Sequence, residues 1–312
     1  MISSVFGKTK PVIYIILLGF LFLFYWFVQF YLFQQAQAPE ELLYSMLVFG
    51  ILLFSVFIMD YVVKSHKITK SNSFAMLFFV LLVVIFPEVL TDDNAIWCNF
   101  FLLLAVRRLL DIRSLKEIKL KIFDATLWIT VASLFYDWAL FFLLLVYLVI
   151  YIYDAKNGRN WLVPLAAVFT VFMIVYAYLV LMDNTEFLRA HYRFHFRFYK
   201  EYFMRFGNSI KLLLYTVVTL VAGIISFVRL RSSGSGKIVS LRLMALYFLL
   251  GLATVVLIYT KNAYPVILLF FPSAIFISNF IESLKNHRAK EIVLFISITI
   301  PFLALLGQIL DK

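Results

Sequence analysis

Two pairs of carboxylates lie between apolar runs of the sequence, where acid–base chemistry could take place. Glu40 and Glu41 follow Pro39 after the first apolar run, and Asp92 and Asp93 follow the third. A carboxylate at a membrane surface can take a proton from an acceptor hydroxyl or help to hold a divalent cation. We therefore predict these four acids as candidate catalytic residues. The simpler interpretation is that acids belong at wet loop ends, where an aspartate can also cap a helix.

A long loop over 183–211 combines basic and aromatic side chains. If residues 187–206 form a helix, most of its basic residues share one side and the aromatic residues lie elsewhere on its circumference. Such a helix would lie in the membrane interface, either as an anchor or to present guanidinium groups to a phosphate or pyrophosphate headgroup. The candidate substrate-binding residues are Arg189, Arg193, His195, Arg197 and Lys200 in this loop, and Lys261 in a later one.

The remaining motifs do not indicate a soluble enzyme. Gly234-Ser235-Gly236-Lys237 resembles the end of a phosphate-binding loop, but Arg231 stands where the first glycine belongs and Ile238 replaces the required Ser or Thr. We interpret the segment as a flexible basic cytoplasmic loop. The four histidines have no cysteine partner, so we predict no metal site and no cofactor, apart from a divalent cation that the carboxylates could hold.

The composition indicates which elements must position these residues. Of the 312 residues, 64% are hydrophobic and 14% are charged, against roughly 45–50% and about 25% in soluble globular chains. This excludes a soluble enzyme, a disordered adaptor and a disulfide-stapled secreted module. Because helices satisfy their own backbone hydrogen bonds in lipid, we predict an all-α bundle of transmembrane helices that forms one integral membrane domain, 1–312.

The apolar runs give the expected number of spans, since roughly 20 residues of helix cross a bilayer. The runs are 11–33, 43–63, 74–90, 94–106, 161–182, 210–228, 243–259, 264–281 and 291–309. The stretch 122–153 is too long for one helix and is interrupted by Asp137, so we divide it into two short helices. The sequence thus predicts about eleven spans.

The distribution of basic residues predicts the orientation of these spans. With the N-terminus in the cytoplasm and the C-terminus outside, most of the 28 Lys and Arg residues fall on the cytoplasmic side, as the positive-inside rule requires. The loop 183–211 then lies at the extracytoplasmic face, together with the four candidate acids. Its basic residues depart from the rule that the rest of the chain obeys, which favours a role for them.

The order of features from Phe86 to Leu181 carries a resemblance to known proteins. The features are Phe86-Pro87-Glu88, Asp92-Asp93-Asn94, a short helix, Arg107-Arg108, a basic loop, two short helices and Asn160-Trp161. This order is similar to the N-terminal membrane module of GT-C-type glycosyltransferases, which take a sugar from a polyprenyl-phosphate carrier. The chain also looks like a member of an uncharacterised family of bacterial multi-pass inner-membrane proteins.

The resemblance implies roles for the candidate residues. It implies that an acid of the first outer loop, Glu40 or Glu41, acts as a base or metal ligand, and that a second acidic site lies at Asp92 or Asp93. It further implies that basic residues of the outer loop bind the carrier phosphate, as Arg189, Arg193 and Arg197 would.

Two functions follow as hypotheses. The first is an integral protein of the bacterial inner membrane that acts at the extracytoplasmic face on a polyprenyl-phosphate-linked sugar or similar lipid phosphate. Its expected partners are membrane lipids, the carrier and a membrane protein complex, but not nucleic acid. The alternative is a non-catalytic subunit or scaffold of a larger cell-envelope complex. An enzyme requires the acids and arginines to converge, whereas a scaffold tolerates their loss.

Overall fold

The structure, a computed structural model, describes residues 2–33, 39–194, 206–230, 235–258 and 263–310. Every secondary-structure element in these ranges is a helix, which confirms the predicted all-α class.

The helices vary widely in length. The α-helices are α1 (Ile2–Phe6), α2 (Pro11–Phe27), α3 (Pro39–Ser65), α4 (Phe74–Ile85), α5 (Asp93–Asp111), α6 (Ile118–Ala132), α7 (Leu143–Asp154), α8 (Gly158–Leu181), α9 (Glu186–His191), α10 (Phe206–Leu230), α11 (Ser235–Ile258), α12 (Phe270–Ser283) and α13 (His287–Leu310). A π-helical turn, Val28–Leu32, extends α2, and 3₁₀ turns cover Pro87–Thr91, Ile112–Ser114, Asp137–Phe142 and Pro265–Leu269.

Eight helical segments of the described residues are long and apolar enough to cross a membrane. They are Pro11–Leu32, Glu41–Ser65, Asp137–Asp154, Gly158–Leu181, Ser209–Arg229, Gly236–Leu257, Pro265–Ser283 and His287–Leu310. The chain is therefore a helical membrane-embedded protein, but it has fewer candidate spans than the eleven predicted.

Three helices account for the difference. α4 has 12 residues and α6 has 15, which is too short for a typical span. α5 has 19 residues, but it begins with Asp93 and carries two arginines near its end. All residues of α4 except the last are buried, so protein rather than lipid surrounds this apolar run. An apolar sequence does not show whether lipid or protein surrounds a helix, so the apolar runs outnumber the helices that qualify as candidate spans.

The apolar run 74–90 is not a single helix because Pro87 ends α4. A proline disfavours helical backbone in the residue before it, and Phe86 has φ −120° and ψ 66°. The 3₁₀ turn Pro87–Thr91 follows, and Asp92 then begins α5 as its N-cap. This corner places two acids, Glu88 and Asp92, at the same end of the bundle.

The stretch 122–153 is divided as the sequence predicts. α6 ends at Ala132, a corner of four residues follows, and a 3₁₀ turn begins at Asp137 and leads into α7. The Oδ1 atom of Asp137 accepts a hydrogen bond of 2.8 Å from the backbone N–H of Trp138, which satisfies one donor at the start of this turn.

Long-range polar contacts define two ends of the bundle. We call the end that holds the turn Pro87–Thr91 and the corner 133–136 the carboxylate end. We call the opposite end the basic end. There the backbone N–H of Ser73 donates a hydrogen bond of 3.0 Å to the carbonyl of Phe6, and Nε2 of His66 lies 3.4 Å from Oδ1 of Asp111. Loops that the sequence assigns to one side of a membrane thus meet at one end, while their orientation stays a prediction.

We expect single cysteines at the two ends to be labelled from opposite sides of the membrane. Glu186→Cys would place a thiol at the exposed start of α9, and Lys116→Cys would place one in an exposed loop of the basic end. An impermeant maleimide should label the first in intact cells and the second only in inverted vesicles. Cys98 is fully buried and should stay unlabelled in both. Labelling of both variants from one side would contradict the arrangement.

Candidate functional site

Asp92 is the centre of the carboxylate end. Its Oδ1 accepts a hydrogen bond of 3.0 Å from the backbone N–H of Ala95, which caps α5. Its Oδ2 accepts hydrogen bonds from the hydroxyl of Tyr136 and from the backbone N–H of Tyr264. The side chain is buried. One carboxylate therefore joins the start of α5, the corner after α6 and the segment before Pro265.

The two neighbouring aspartates have different environments. Burial raises the pKa of Asp92 above its usual range, although the hydrogen bonds that it accepts act in the opposite direction. Asp93 is only partly buried, and burial together with the charge of Asp92 raises its pKa to about 6. Both oxygens of Asp92 already accept hydrogen bonds, whereas the pKa of Asp93 lies near neutral pH, as suits a general base.

Glu88 forms a second polar centre beside Asp92. Its Oε1 lies 2.9 Å from the Nζ atom of Lys211 on α10 and accepts a 2.9 Å hydrogen bond from the Gln308 amide on α13. Both charged side chains are largely buried, and the Lys211 nitrogen also lies 5.0 Å from the centre of the Phe86 ring. The sequence alone does not identify Lys211 or Gln308, since nothing near them in the chain indicates their partner.

The predicted acids of the first outer loop lie at this same end. Glu41 is in the first turn of α3, while the side chain of Glu40 lies outside the described residues. The Tyr25 hydroxyl donates to the carbonyl of Ser45, one turn after Glu41, at 3.1 Å. Asp93 is close enough to Tyr25 to act on it electrostatically. Tyr25 therefore lies between the starts of α3 and α5.

The segment 183–194 carries Arg189 and Arg193, and we call it the arginine segment. It packs on the corner after α6. His191 bonds through Nε2 to the carbonyl of Ser133, and the Tyr192 hydroxyl bonds to the Ser133 side chain, both at 2.8 Å. The backbone N–H of Phe194 donates to Asp137 Oδ2 at 3.2 Å. These contacts fix the backbone on both sides of Arg193.

This segment is helical over a shorter range than 187–206. α9 ends at His191, and the following residues up to Phe194 are not helical. Arg189 and Arg193 are both exposed. His195, Arg197, Lys200 and Lys261 lie outside the described residues, and their placement stays a prediction.

Two consecutive residues connect the acids with the arginines. Tyr136 bonds to Asp92, and Asp137 bonds to the residue after Arg193. The corner that ends α6 thus supports both candidate groups at the same end of the bundle. Among the described residues, no three His, Cys, Asp or Glu side chains form a group that could hold a metal ion. The divalent cation that the sequence analysis considered stays a prediction.

Comparison with known proteins gives a family but no activity. A family model matches residues 6–306. The chain belongs to DUF6427, a family of unknown function. No curated protein matches the chain, and no solved structure does. The expectation of an uncharacterised family is therefore confirmed, while none of the comparisons connects this DUF6427 member with GT-C-type glycosyltransferases.

We expect Tyr136→Phe to destabilise the protein, because it removes one donor from the buried carboxylate of Asp92 and keeps the ring. Loss of a hydrogen bond to a charged group costs about 1.5–3 kcal/mol. Tyr176→Phe removes a hydroxyl from an exposed tyrosine of α8 and serves as the control. Thermal unfolding in detergent should show a lower midpoint for Tyr136→Phe alone. Equal midpoints for the two variants would show that the hydrogen bond between Tyr136 and Asp92 does not stabilise the bundle.

The raised pKa of Asp93 should appear in the pH dependence of stability. A carboxyl whose pKa is higher in the folded state binds more protons there, so its contribution to stability falls as the pH rises from about 4 to about 6. Asp93→Asn should remove this component of the unfolding midpoint. Glu186→Gln, at an exposed acid of the same end, should keep it. A wild-type pH profile in Asp93→Asn would contradict the environment described for this residue.

Proposed function

We propose that this DUF6427 member acts at its carboxylate end on a lipid-linked phosphate substrate, and that the reaction is a GT-C-like glycosyl transfer from a polyprenyl-phosphate-linked sugar. The site would face the extracytoplasmic side of the bacterial inner membrane. The single observation that carries the proposal is the corner at Tyr136 and Asp137, which holds the aspartate pair and the arginine segment at one end of the bundle.

Asp93 would be the general base. In the proposed step it takes the proton from an acceptor hydroxyl, whose oxygen attacks the anomeric carbon of the sugar. The bond between that carbon and the carrier phosphate breaks, and the phosphate leaves with the bonding electron pair. A pKa of about 6 leaves Asp93 mostly ionised, and thus able to accept the proton, at neutral pH.

Arg189 and Arg193 would bind the phosphate. A guanidinium group can donate two parallel hydrogen bonds to phosphate oxygens, and its charge would stabilise the departing group. Both side chains are exposed, which leaves them accessible to a headgroup. His195, Arg197, Lys200 and Lys261 are proposed as further ligands of the same phosphate, with Glu41 and Glu40 as the acids that face the acceptor.

The apolar surface beside the arginines favours a lipid as the carrier. α8 leads into the segment 183–194, and its side carries exposed apolar residues such as Phe169, Met173 and Ile174. A long hydrocarbon chain attached to a phosphate held by Arg189 or Arg193 could lie along this side of α8. A soluble sugar phosphate would make no use of that surface.

Native mass spectrometry of the protein, extracted gently from its own membrane, would test the proposal. We expect a co-purified polyprenyl-phosphate species whose occupancy falls on the order of tenfold in Arg189→Ala/Arg193→Ala, because two charged contacts are lost. The matched control is Arg159→Ala/Arg288→Ala, which removes the same charge from exposed positions of the basic end.

The Asp93→Asn variant distinguishes binding of the carrier from transfer of the sugar. Asp93→Asn should keep the bound carrier but lose transfer of the sugar, because only the proton acceptor is removed. If the extracted protein instead carries a stoichiometric protein partner and no such lipid, the non-catalytic subunit of an envelope complex becomes the better explanation. Equal lipid occupancy in the two double variants would contradict phosphate binding by the arginines.

A further inference from the structure

The basic end brings together cations from four segments of the chain. Lys70 lies in the loop before α4, Lys237 in the first turn of α11 and Lys290 near the start of α13, while Arg113 follows α5. We infer that these four residues form a binding site for a phosphate group, separate from the site at the carboxylate end. We call these residues the lysine cluster.

Glu282 lies near the lysines of the cluster, and its oxygens accept hydrogen bonds from a backbone N–H and a side-chain amide. Both of its oxygens accept the backbone N–H of Lys70 at 3.0 Å, and Oε1 also accepts the Asn72 amide at 2.6 Å. Lys237 and Lys290 lie within electrostatic range of Glu282 and of Lys70. In the part of the chain that the structure describes, no lysine forms a direct ion pair with Glu282.

Gly236 leaves room for the guanidinium group of Arg113, the fourth cation of the lysine cluster. A Cβ atom at this position would lie 2.1 Å from Cζ of Arg113, so the guanidinium group rests directly against the backbone beside Lys237. The sequence predicts a flexible loop here, but in the structure α11 begins at Ser235, so Gly236 and Lys237 are helical. No acid lies in the first turn of α11 to offset these charges.

The charges of the lysine cluster do not balance. Four cations lie near two carboxylates, Glu282 and, beside Lys290, Glu291, whose oxygens accept hydrogen bonds from Ile2 and Ser3. Lys237 and Lys290 are each partly buried, where repulsion between like charges is less screened by water. The Lys290 nitrogen lies 4.9 Å from the centre of the Phe74 ring, which holds it in place but brings no negative charge. An anion among these groups would relieve the repulsion.

A phosphate group fits this arrangement better than a carboxylate or chloride ion. It carries several acceptor oxygens for lysine donors and for the guanidinium fork of Arg113. The positive-inside rule predicts lysines at this end, but it does not require their convergence on one glutamate or a guanidinium packed on a glycine. Because Lys237 and Lys290 lie at the ends of candidate spans, the phosphate could belong to a lipid headgroup or to a soluble molecule.

Purified protein in neutral detergent would test the site with two probes. Native mass spectrometry would measure binding of phosphatidylglycerol against phosphatidylcholine, and thermal unfolding would measure stabilisation by inorganic pyrophosphate. The test variant is Lys237→Met/Lys290→Met. The control is Lys116→Met/Lys119→Met, which removes two exposed lysines of the same end outside the cluster. Gly236→Ala is a second test, because it displaces Arg113 without removing any charge.

We expect at least one probe to bind the wild-type protein and to bind the double variant about tenfold more weakly, since two charge-assisted contacts to the phosphate are lost. The control should stay within about twofold of the wild type, and Gly236→Ala should weaken binding in the same direction as the double variant. Selective loss of phosphatidylglycerol would identify a lipid headgroup as the source, and loss of pyrophosphate stabilisation would identify a soluble phosphate. Equal binding by the test and control variants, or binding of neither probe, would overturn the proposal.

Discussion

A buried carboxylate must be supplied with hydrogen-bond donors, and this requirement organises the carboxylate end of the bundle. Leaving Asp92 without partners would cost several kcal/mol, and its three donors come from α5, from the corner after α6 and from the segment before Pro265. The backbone break at Pro87 places Asp92 at that junction. The corner at Tyr136 and Asp137 connects this arrangement with the segment that carries Arg189 and Arg193.

The charged side chains are paired differently at the two ends of the bundle. At the carboxylate end, Glu88 pairs with Lys211 and the charges are neutralised in a largely buried setting. At the basic end, Glu282 bonds to backbone and amide groups while the cations around it keep their excess charge. One end is therefore fixed by its own contacts, and the other has unbalanced positive charge available to a ligand. This asymmetry makes two separate sites on one chain physically reasonable.

The core also explains why a membrane protein of this kind contains helices shorter than a typical span. α4 is surrounded by other helices and is buried along nearly its whole length, so it does not have to match the thickness of the bilayer. Its end at Phe86 lets a 3₁₀ turn carry polar residues into the bundle, where buried partners are available. Short inner helices thus allow the carboxylates to lie within protein instead of lipid.

The sequence by itself determined the helical class, the membrane setting, the break before Pro87 and the division at Asp137, because these depend on composition and on residues adjacent in the chain. It also placed the four acids between apolar runs. Only the tertiary structure decided that Asp92 is buried and hydrogen-bonded to Tyr136 and Tyr264, that Glu88 pairs with Lys211, and that Arg113 packs against Gly236. Each of these partners is distant in sequence, and hydropathy contains no information about which helices are neighbours. The same limit explains why fewer helices qualify as candidate spans than the sequence predicts, since hydropathy does not show whether lipid or protein covers an apolar residue.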